Sequence, residues 1–225
     1  MNGVTAMPLS GVPRCRVGVV HRAAEQQAVV AVRRAAYAQA QQFRWLDTNT
    51  LAWSADDQKA TVLGLWDANG VLNATVRATV LPSTPAAQAV IAYDIEALNL
   101  PGPLMLLTRA ATHPQAQCRG GNALLRCAYL AAMLHTDLGC VITQVYDQAP
   151  RLRALRQAGF ELTPLSVGWD GEAQPLTQPL LAWMLRHHVV AGLQRMESEH
   201  DAGLSITLID LPAIAASLNA QMANL

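Results

Sequence analysis

Between Gln117 and Asn122 the chain reads Gln-Cys-Arg-Gly-Gly-Asn. The loop follows an apolar run, Leu104-Met105-Leu106-Leu107, and precedes a run from Ala123 to about Asp137 that has no glycine or proline. A buried strand, a glycine loop and a helix in that order present backbone N–H groups to an anion. The donors of a first helical turn are unpaired, and the helix dipole adds roughly half a positive charge there. Glycine lets a phosphate reach the backbone without a side chain intervening. The same residues also make a plain connection, so the loop alone does not decide the chemistry. Cys118 lies in it, where a thiol can be activated by the helix start or can simply be a small residue. Arg77 and Arg109 are planar, bidentate donors suited to a carboxylate or phosphate, and equally to a structural ion pair. His187-His188 has no Cys, Asp or Glu partner at ligand spacing, so the reading is a stacked pair and no metal site.

The elements that must position these groups follow from pattern. Arg16–Val20 reads as a short first strand after a loose lead-in. Ala23–Gln42 reads as a helix with Val29, Val32, Ala36 and Ala40 on its apolar face. Arg33 and Tyr37 sit one turn apart on it. Lys59–Trp66 and Val71–Leu81 form a hairpin about Asn69-Gly70, with Thr75, Arg77 and Thr79 on one side. Ala86–Leu98 reads as a helix. His113-Pro114 ends the strand that begins at Leu104. Gly139–Tyr146 reads as a second buried strand, Pro150–Gln157 as a helix, and Glu161–Leu165 as a strand. Leu181, Met184, Leu185, His188, Val189 and Leu193 recur at helical spacing and predict a helix over Leu180–Glu199. Leu204–Ile209 predicts a late strand, and Pro212–Met222 a final helix capped by Asp210.

Composition sets bounds. The 225 residues suffice for one elaborated domain. Sixteen basic and sixteen acidic side chains cancel, which argues against nucleic acid or an anionic membrane as partner. Charged residues are 14% of the chain, below the usual quarter or so. That fits a compositional bias, an apolar ligand tunnel or a subunit interface, and a homodimer is compatible with it. No run reaches the roughly 20 apolar residues of a membrane span. The first residues do not read as an export signal. The expectation is therefore a cytoplasmic protein with four reduced cysteines.

The loop and its flanks resemble the phosphate loop of the GNAT superfamily of acyltransferases, Arg/Gln-x-x-Gly-x-Gly/Ala between a strand and a helix. Gln117, Gly120 and Asn122 fall on the marked positions, and Leu125 on the leucine that follows. Asn122 stands where a small residue is expected. Ala158-Gly159-Phe160 is similar to a helix end common in that family. Leu155 occupies the position where many members carry a tyrosine acid. The front half is similar, more weakly, to the acyl-homoserine-lactone synthase and N-acyl amino acid synthase branch. Arg33, Tyr37 and Phe43 match its helix spacing, Asp57 a following acid, Arg77 with Leu81-Pro82-Ser83-Thr84 its strand after the hairpin, and Arg109 its central arginine. Ser54 and Leu106 replace two of that branch's acids. The likeness covers about residues 16–165.

The resemblance implies an α/β (α+β) fold. Its sheet would be mixed and mostly antiparallel, with a splayed parallel strand pair, helices on both faces and a C-terminal helical extension. Residues 1–170 would form the acyltransferase domain, and 171–225 an extension packed on it. It implies transfer of an acyl group from acyl-CoA, or from the phosphopantetheine of an acyl carrier protein, to an amine, with amino-acid-like amines among the candidate acceptors. The alternative is a protein of that fold that binds an acyl carrier ligand or a partner with little catalysis. Gln117, Cys118, Arg119, Gly120, Gly121 and Asn122 would hold the carrier's phosphates. A backbone amide among Thr108, Arg109, Ala110 and Ala111 would face the developing oxyanion. Arg33, Tyr37, Phe43 and Arg77 would contact substrate. For the base the candidates are Glu96 and His113, each with a plain reading as a surface or turn residue. For the thiolate's acid the candidate is Tyr146.

Overall fold

The computed structural model describes residues 15–39, 51–116, 120–147, 149, 151–165, 178–199 and 206–225. Eight strands within them make one sheet: β1 (Cys15–Val19), β2 (Thr61–Trp66), β3 (Leu72–Leu81), β4 (Leu104–Thr112), β5 (Cys140–Tyr146), β6 (Glu161–Pro164), β7 (Pro179–Leu185) and β8 (Ile206–Ile209). Their order is β6-β7-β5-β4-β3-β2-β1-β8. The pairs β4–β5 and β1–β8 are parallel, and the rest are antiparallel.

Helices cover both faces. On one side α4 (Gly121–Met133), α5 (Arg151–Ala158), α6 (Val189–Glu199) and α7 (Leu211–Met222) bury Leu125, Tyr129, Leu155, Val189, Ile214 and Leu218 against Leu63, Val76, Met105 and Val141. On the other side α1 (Ala23–Gln39) packs Val29 and Val32 on Val62, Trp66 and Ala111. Next to it α3 (Thr84–Ile91) places Ala87 and Ile91 on Leu104, Leu106 and Ile142. A short α2 (Ala55–Lys59) carries a capping box between Ser54 and Asp57. Two apolar faces of a single sheet each need a cover, and these layers supply it.

The last helix is tied in by side chains. Asp210 caps α7 through the Ala213 N–H at 3.0 Å, as its sequence signature predicts. Gln221 then acts as a piece of strand. Its Oε1 accepts from the Val80 N–H at 3.0 Å, and its Nε2 donates to Thr61 Oγ1 at 2.7 Å. On the β2 side of β3 the register starts at Thr61↔Ala78, so Val80 lies beyond it and takes its acceptor from α7.

Three expectations are corrected. Leu180 does not open a helix, because Pro179–Leu185 is strand β7, wedged between β5 and β6. Five of its seven residues are buried, and a strand covered on both faces is a continuous apolar run that helical periodicity imitates. The helix resumes only at Val189, after a 3-10 turn at Arg186–His188. The Ala86–Leu98 helix is shorter: α3 stops at Ile91 with Ala92 left-handed (φ 58°), and Glu96–Leu98 is a separate 3-10 turn. Cys127 and Cys140 are free thiols, whereas Cys15 is disulfide-bonded, against the expectation of four reduced cysteines.

Candidate functional site

Strands β4 and β5 pair over only part of their length. Their register runs from Leu104↔Cys140 to Leu107↔Thr143 and ends there, although β4 continues to Thr112 and β5 to Tyr146. The sequence sets up this parting. Thr143 Oγ1 donates to the Leu107 carbonyl at 2.9 Å, filling the last rung from a side chain. Arg151 Nη2 donates to the Gln144 carbonyl at 3.1 Å, so this acceptor is met by α5 rather than by β4. On the other edge of β4, Thr75 pairs with Ala111 and Arg77 with Thr108, so Val76 faces two residues, Arg109 and Ala110. That is a β-bulge, and Arg109 within it has φ 50°, a left-handed value unusual for a residue with a Cβ.

The bulge reverses the strand's alternation. Met105 and Leu107 face the α4 side, but so does Ala110, while Ala111 turns to the α1 side. The polar edges of Thr108–Ala110 and Gln144–Tyr146 therefore border a cleft of about 500 Å³ rather than bonding across it. Tyr37 of α1, Ile91, Tyr93 and Arg151 complete the walls.

The cleft is cationic. Arg109 and Arg151 line it, and no carboxylate or histidine does so among the described residues. Burial raises the Tyr37 hydroxyl above the usual phenol range, opposed by the charges of Arg151, Arg33, Arg109 and Arg77 around it. Tyr93 is also raised, first by burial and then by its neighbour Tyr146.

Behind Tyr37 lies a buried ion pair. Arg33, 0% exposed, donates from Nη1 to Asp57 Oδ2 at 2.9 Å and from Nη2 to Oδ1 at 2.8 Å. Ser54 adds its N–H to Oδ2 at 3.0 Å, and Arg77 Nη1 stands 3.6 Å from Oδ1. Burial raises the Asp57 carboxyl, but the Arg33 bonds and charge outweigh it and hold the net value below the carboxylate norm. Arg77 also donates from Nε to Thr108 Oγ1 at 3.0 Å. Arg33 and Arg77 thus brace α1 and β3 behind the cleft and do not line it.

The start of α4 follows β4 in the chain and is not among the residues that line the cleft. Gly120 caps it in a left-handed conformation (φ 74°) that suits glycine. A Cβ on Gly121 would sit 2.9 Å from both Ala74 Cβ and Leu65 Cδ2, so the helix start lies directly on the sheet. There is no side-chain cap and no acid in the first turn. The opposite end is served by Arg186, which donates to the carbonyls of Met133 at 3.2 Å, Leu134 at 3.0 Å and Thr136. The dipole's negative end is thus met by a cation, and its positive end faces no carboxylate of its own helix. Asn122 Oδ1 is buried there without a donor.

Four turns of helix hold one further anomaly. Arg126 is 6% exposed, and its neighbours around a small cavity, Ala123, Ala154, Leu155, Ala158, Phe160 and Met196, are apolar. Burial, with the like charge of Arg151, lowers its guanidinium to about 10, which still leaves it charged at neutral pH.

The structure thus brings Thr108, Arg109, Ala110, Tyr37 and Tyr146 of the expected residues to one cleft, with Gly120, Gly121 and Asn122 at the helix start. Ala111 is buried on the α1 side instead. Glu96 is exposed on its 3-10 turn and does not line the cleft. His113, past the end of β4, donates its N–H to the Asn73 carbonyl and accepts from the Gln115 N–H at Nδ1; it does not line the cleft either. Gln117, Cys118, Arg119 and Phe43 lie outside the described residues. Sequence reasoning missed Tyr93, Thr143, Gln144, Arg151 and Arg126. Only Arg151 had a signal, as a basic residue opening the helix directly after β5.

No family model matches the chain, and no curated protein matches it in sequence. Solved structures do match. The N-acyl amino acid synthase FeeM from uncultured soil microbes is 15% identical with a TM-score of 0.56, over 80% of this chain and 95% of that one. The CoA-dependent acyl-homoserine lactone synthase BjaI, solved with SAM and isopentyl-CoA, is 15% identical with a TM-score of 0.56, over 92% and 99%. The acetyltransferase yncA from Salmonella typhimurium, solved with acetyl-CoA, is 16% identical with a TM-score of 0.53, over 85% and 98%. At such identities the likeness establishes the fold.

Proposed function

From the GNAT fold as premise, we propose that this protein is an N-acyltransferase. It would move an acyl group from a thioester of coenzyme A or phosphopantetheine to an amine. The observation that carries this reading is the 500 Å³ cleft where β4 and β5 part. An arm ending in a thioester suits the cleft, and its phosphate suits the helix start, where glycines leave the backbone bare.

The bound thioester supplies the electrophilic carbonyl. The backbone edge of Thr108–Ala110, no longer bonded to β5, is the source of N–H donors toward the oxyanion. The attacking amine must be neutral. In place of a cleft-lining carboxylate or histidine, the two guanidiniums act on its acidity: like charge disfavours an ammonium ion and lowers its pKa. A carboxylate on the acceptor would be drawn to those same arginines, so the favoured acceptor is an amino-acid-like amine. Tyr146 Oη, at the far end of β5, provides the proton for the leaving sulfur, and the proton that the attacking nitrogen sheds on forming the amide returns to that phenolate, directly or through water, so the step balances. Orientation between two fixed strands supplies much of the rate.

Thermal-shift titration with CoA, acetyl-CoA and long-chain acyl-CoA, joined to a thiol-release assay over an amine panel, tests this. Stabilisation together with thiol release is expected. Replacing Tyr146 by Phe should lower kcat by about 10²-fold or more at little change in KM. Absence of stabilisation by every CoA species would overturn the proposal. The lack of a base among the described cleft residues favours a second reading, a binding protein with little catalysis. Stabilisation without thiol release from any amine is its signature.

A further inference from the structure

We propose that the acceptor is an α-amino acid with an acidic side chain, its two carboxylates held by Arg109 and Arg151 across the cleft. This rests on the acyltransferase reading above and deepens it by naming the class of acceptor. The two guanidiniums come from different walls of the cleft. Arg109 stands in the bulge of β4. Arg151 opens α5 just past β5 and donates from Nη2 to the Gln144 carbonyl of that strand at 3.1 Å. Between them the two strands have parted. One carboxylate fills one guanidinium fork with two parallel N–H bonds. A fork on each wall therefore matches two carboxylates on one molecule.

The charge balance agrees. Four guanidiniums, those of Arg151, Arg33, Arg109 and Arg77, act on Tyr37 at the cleft wall. The buried acid that faces them among the described residues is Asp57, and both its oxygens are taken by Arg33 at 2.8 and 2.9 Å. Asp56, beside it on α2, is exposed. Asp57 also feels the charge of Arg109, so Arg109 shares a counter-charge. Arg151 has no such share. Burial lowers its guanidinium, and what opposes burial is the phenols of Tyr37 and Tyr146, not a carboxylate. Its Nε is buried without an acceptor.

Filling the cleft expels its water. An amino acid with a neutral side chain would then leave one of these guanidiniums dry and unpaired, which is the costly outcome. An acidic side chain pairs it. A site built for a charged group in this way rejects the isostere that lacks the charge. The chemistry of transfer survives the pairing. Four guanidiniums set against Asp57 and two acceptor carboxylates leave one positive charge, which still disfavours an ammonium ion.

Thiol release from acyl-CoA decides the matter, with glutamate, aspartate, glutamine, asparagine and leucine as acceptors, on the full chain and its Arg151→Gln and Arg151→Lys variants. In wild type each acid should exceed its own amide in kcat/KM by about tenfold or more. Arg151→Gln should bring that ratio to about one, and Arg151→Lys should keep part of it. A merely structural loss would lower acid and amide together and leave the ratio where it was. A second measurement needs no variant: N-acetylglutamate, as product, should raise the melting temperature of wild type more than N-acetylglutamine at equal concentration. Amides or leucine used as well as the acids, a ratio unmoved in Arg151→Gln, or equal shifts from the two products would overturn the acidic acceptor, while thiol release itself keeps the acyltransferase reading. If no acceptor releases thiol, both readings fall together.

Discussion

Asp57→Asn is the substitution that most directly probes how the cleft is braced. The carboxylate accepts two N–H groups from Arg33 and one from Ser54, and both members of the ion pair are at most 1% exposed. Asparagine keeps the shape and removes the charge. Arg33 is then a fully buried cation without a counter-ion, and its Nε already has no acceptor. Breaking a buried pair in this way costs about 3–5 kcal/mol. With an m-value of about 2 kcal/mol per molar urea, the midpoint should fall by about 2 M. The double variant Arg33→Met, Asp57→Leu removes both charges and should recover most of that loss. A pH series adds an independent check. Asp57 has a depressed pKa when folded, so it contributes stability above its unfolded value near pH 4. That contribution is lost as pH falls through the folded value. Wild type should therefore lose stability below about pH 4 more steeply than Asp57→Asn. An Asp57→Asn midpoint within about 0.5 M of wild type would refute the reasoning.

Other outcomes follow from single features. Tyr129 is fully buried, with its hydroxyl 2.6 Å from the Thr61 carbonyl and 3.0 Å from that of Val76, so Tyr129→Phe should cost about 1–3 kcal/mol by denaturant titration. Burial also raises its pKa well above the usual phenol value, so in an ultraviolet alkaline titration it should ionise only as the fold is lost. Gly121→Ala should lower stability by about 1–3 kcal/mol, since the added methyl meets Ala74 and Leu65 at 2.9 Å. A thiol count on the oxidised, denatured chain should give two of four cysteines; a count of four would remove the Cys15 disulfide.

Much of this architecture is written in local chemistry. The Asn69-Gly70 hairpin, the strand-loop-helix unit around Gly120 and the Asp210-capped last helix each carry a signal in a few adjacent residues, and each is where it was expected. What was illegible depends on distant partners. Leu181, Met184 and Leu185 repeat as a helix would, and only their place between β5 and β6 makes them strand. Arg109 is no usual residue for a left-handed bulge, so nothing in the sequence marked the point where β4 bends away. Arg126 sits in an alanine-leucine helix, where arginine reads as a solvated side chain. Its burial comes from α5 and α6, which enter the sequence later. The cleft tyrosines Tyr93 and Tyr146 are 53 positions apart and meet only through the sheet.

The placement of β7 has a bearing on biogenesis. One edge of β5 stays open until Pro179–Leu185 inserts, β6 has no other neighbour among the described strands, and Val80 awaits an acceptor from residue 221. A nascent chain emerging from the ribosome therefore holds unpaired strand edges until residues 179–221 have been made. Such edges invite pairing with other chains. Early engagement by a chaperone, and sensitivity of yield to the pace of translation over residues 179–221, are the cellular corollary of a sheet completed by elements that come late in the sequence.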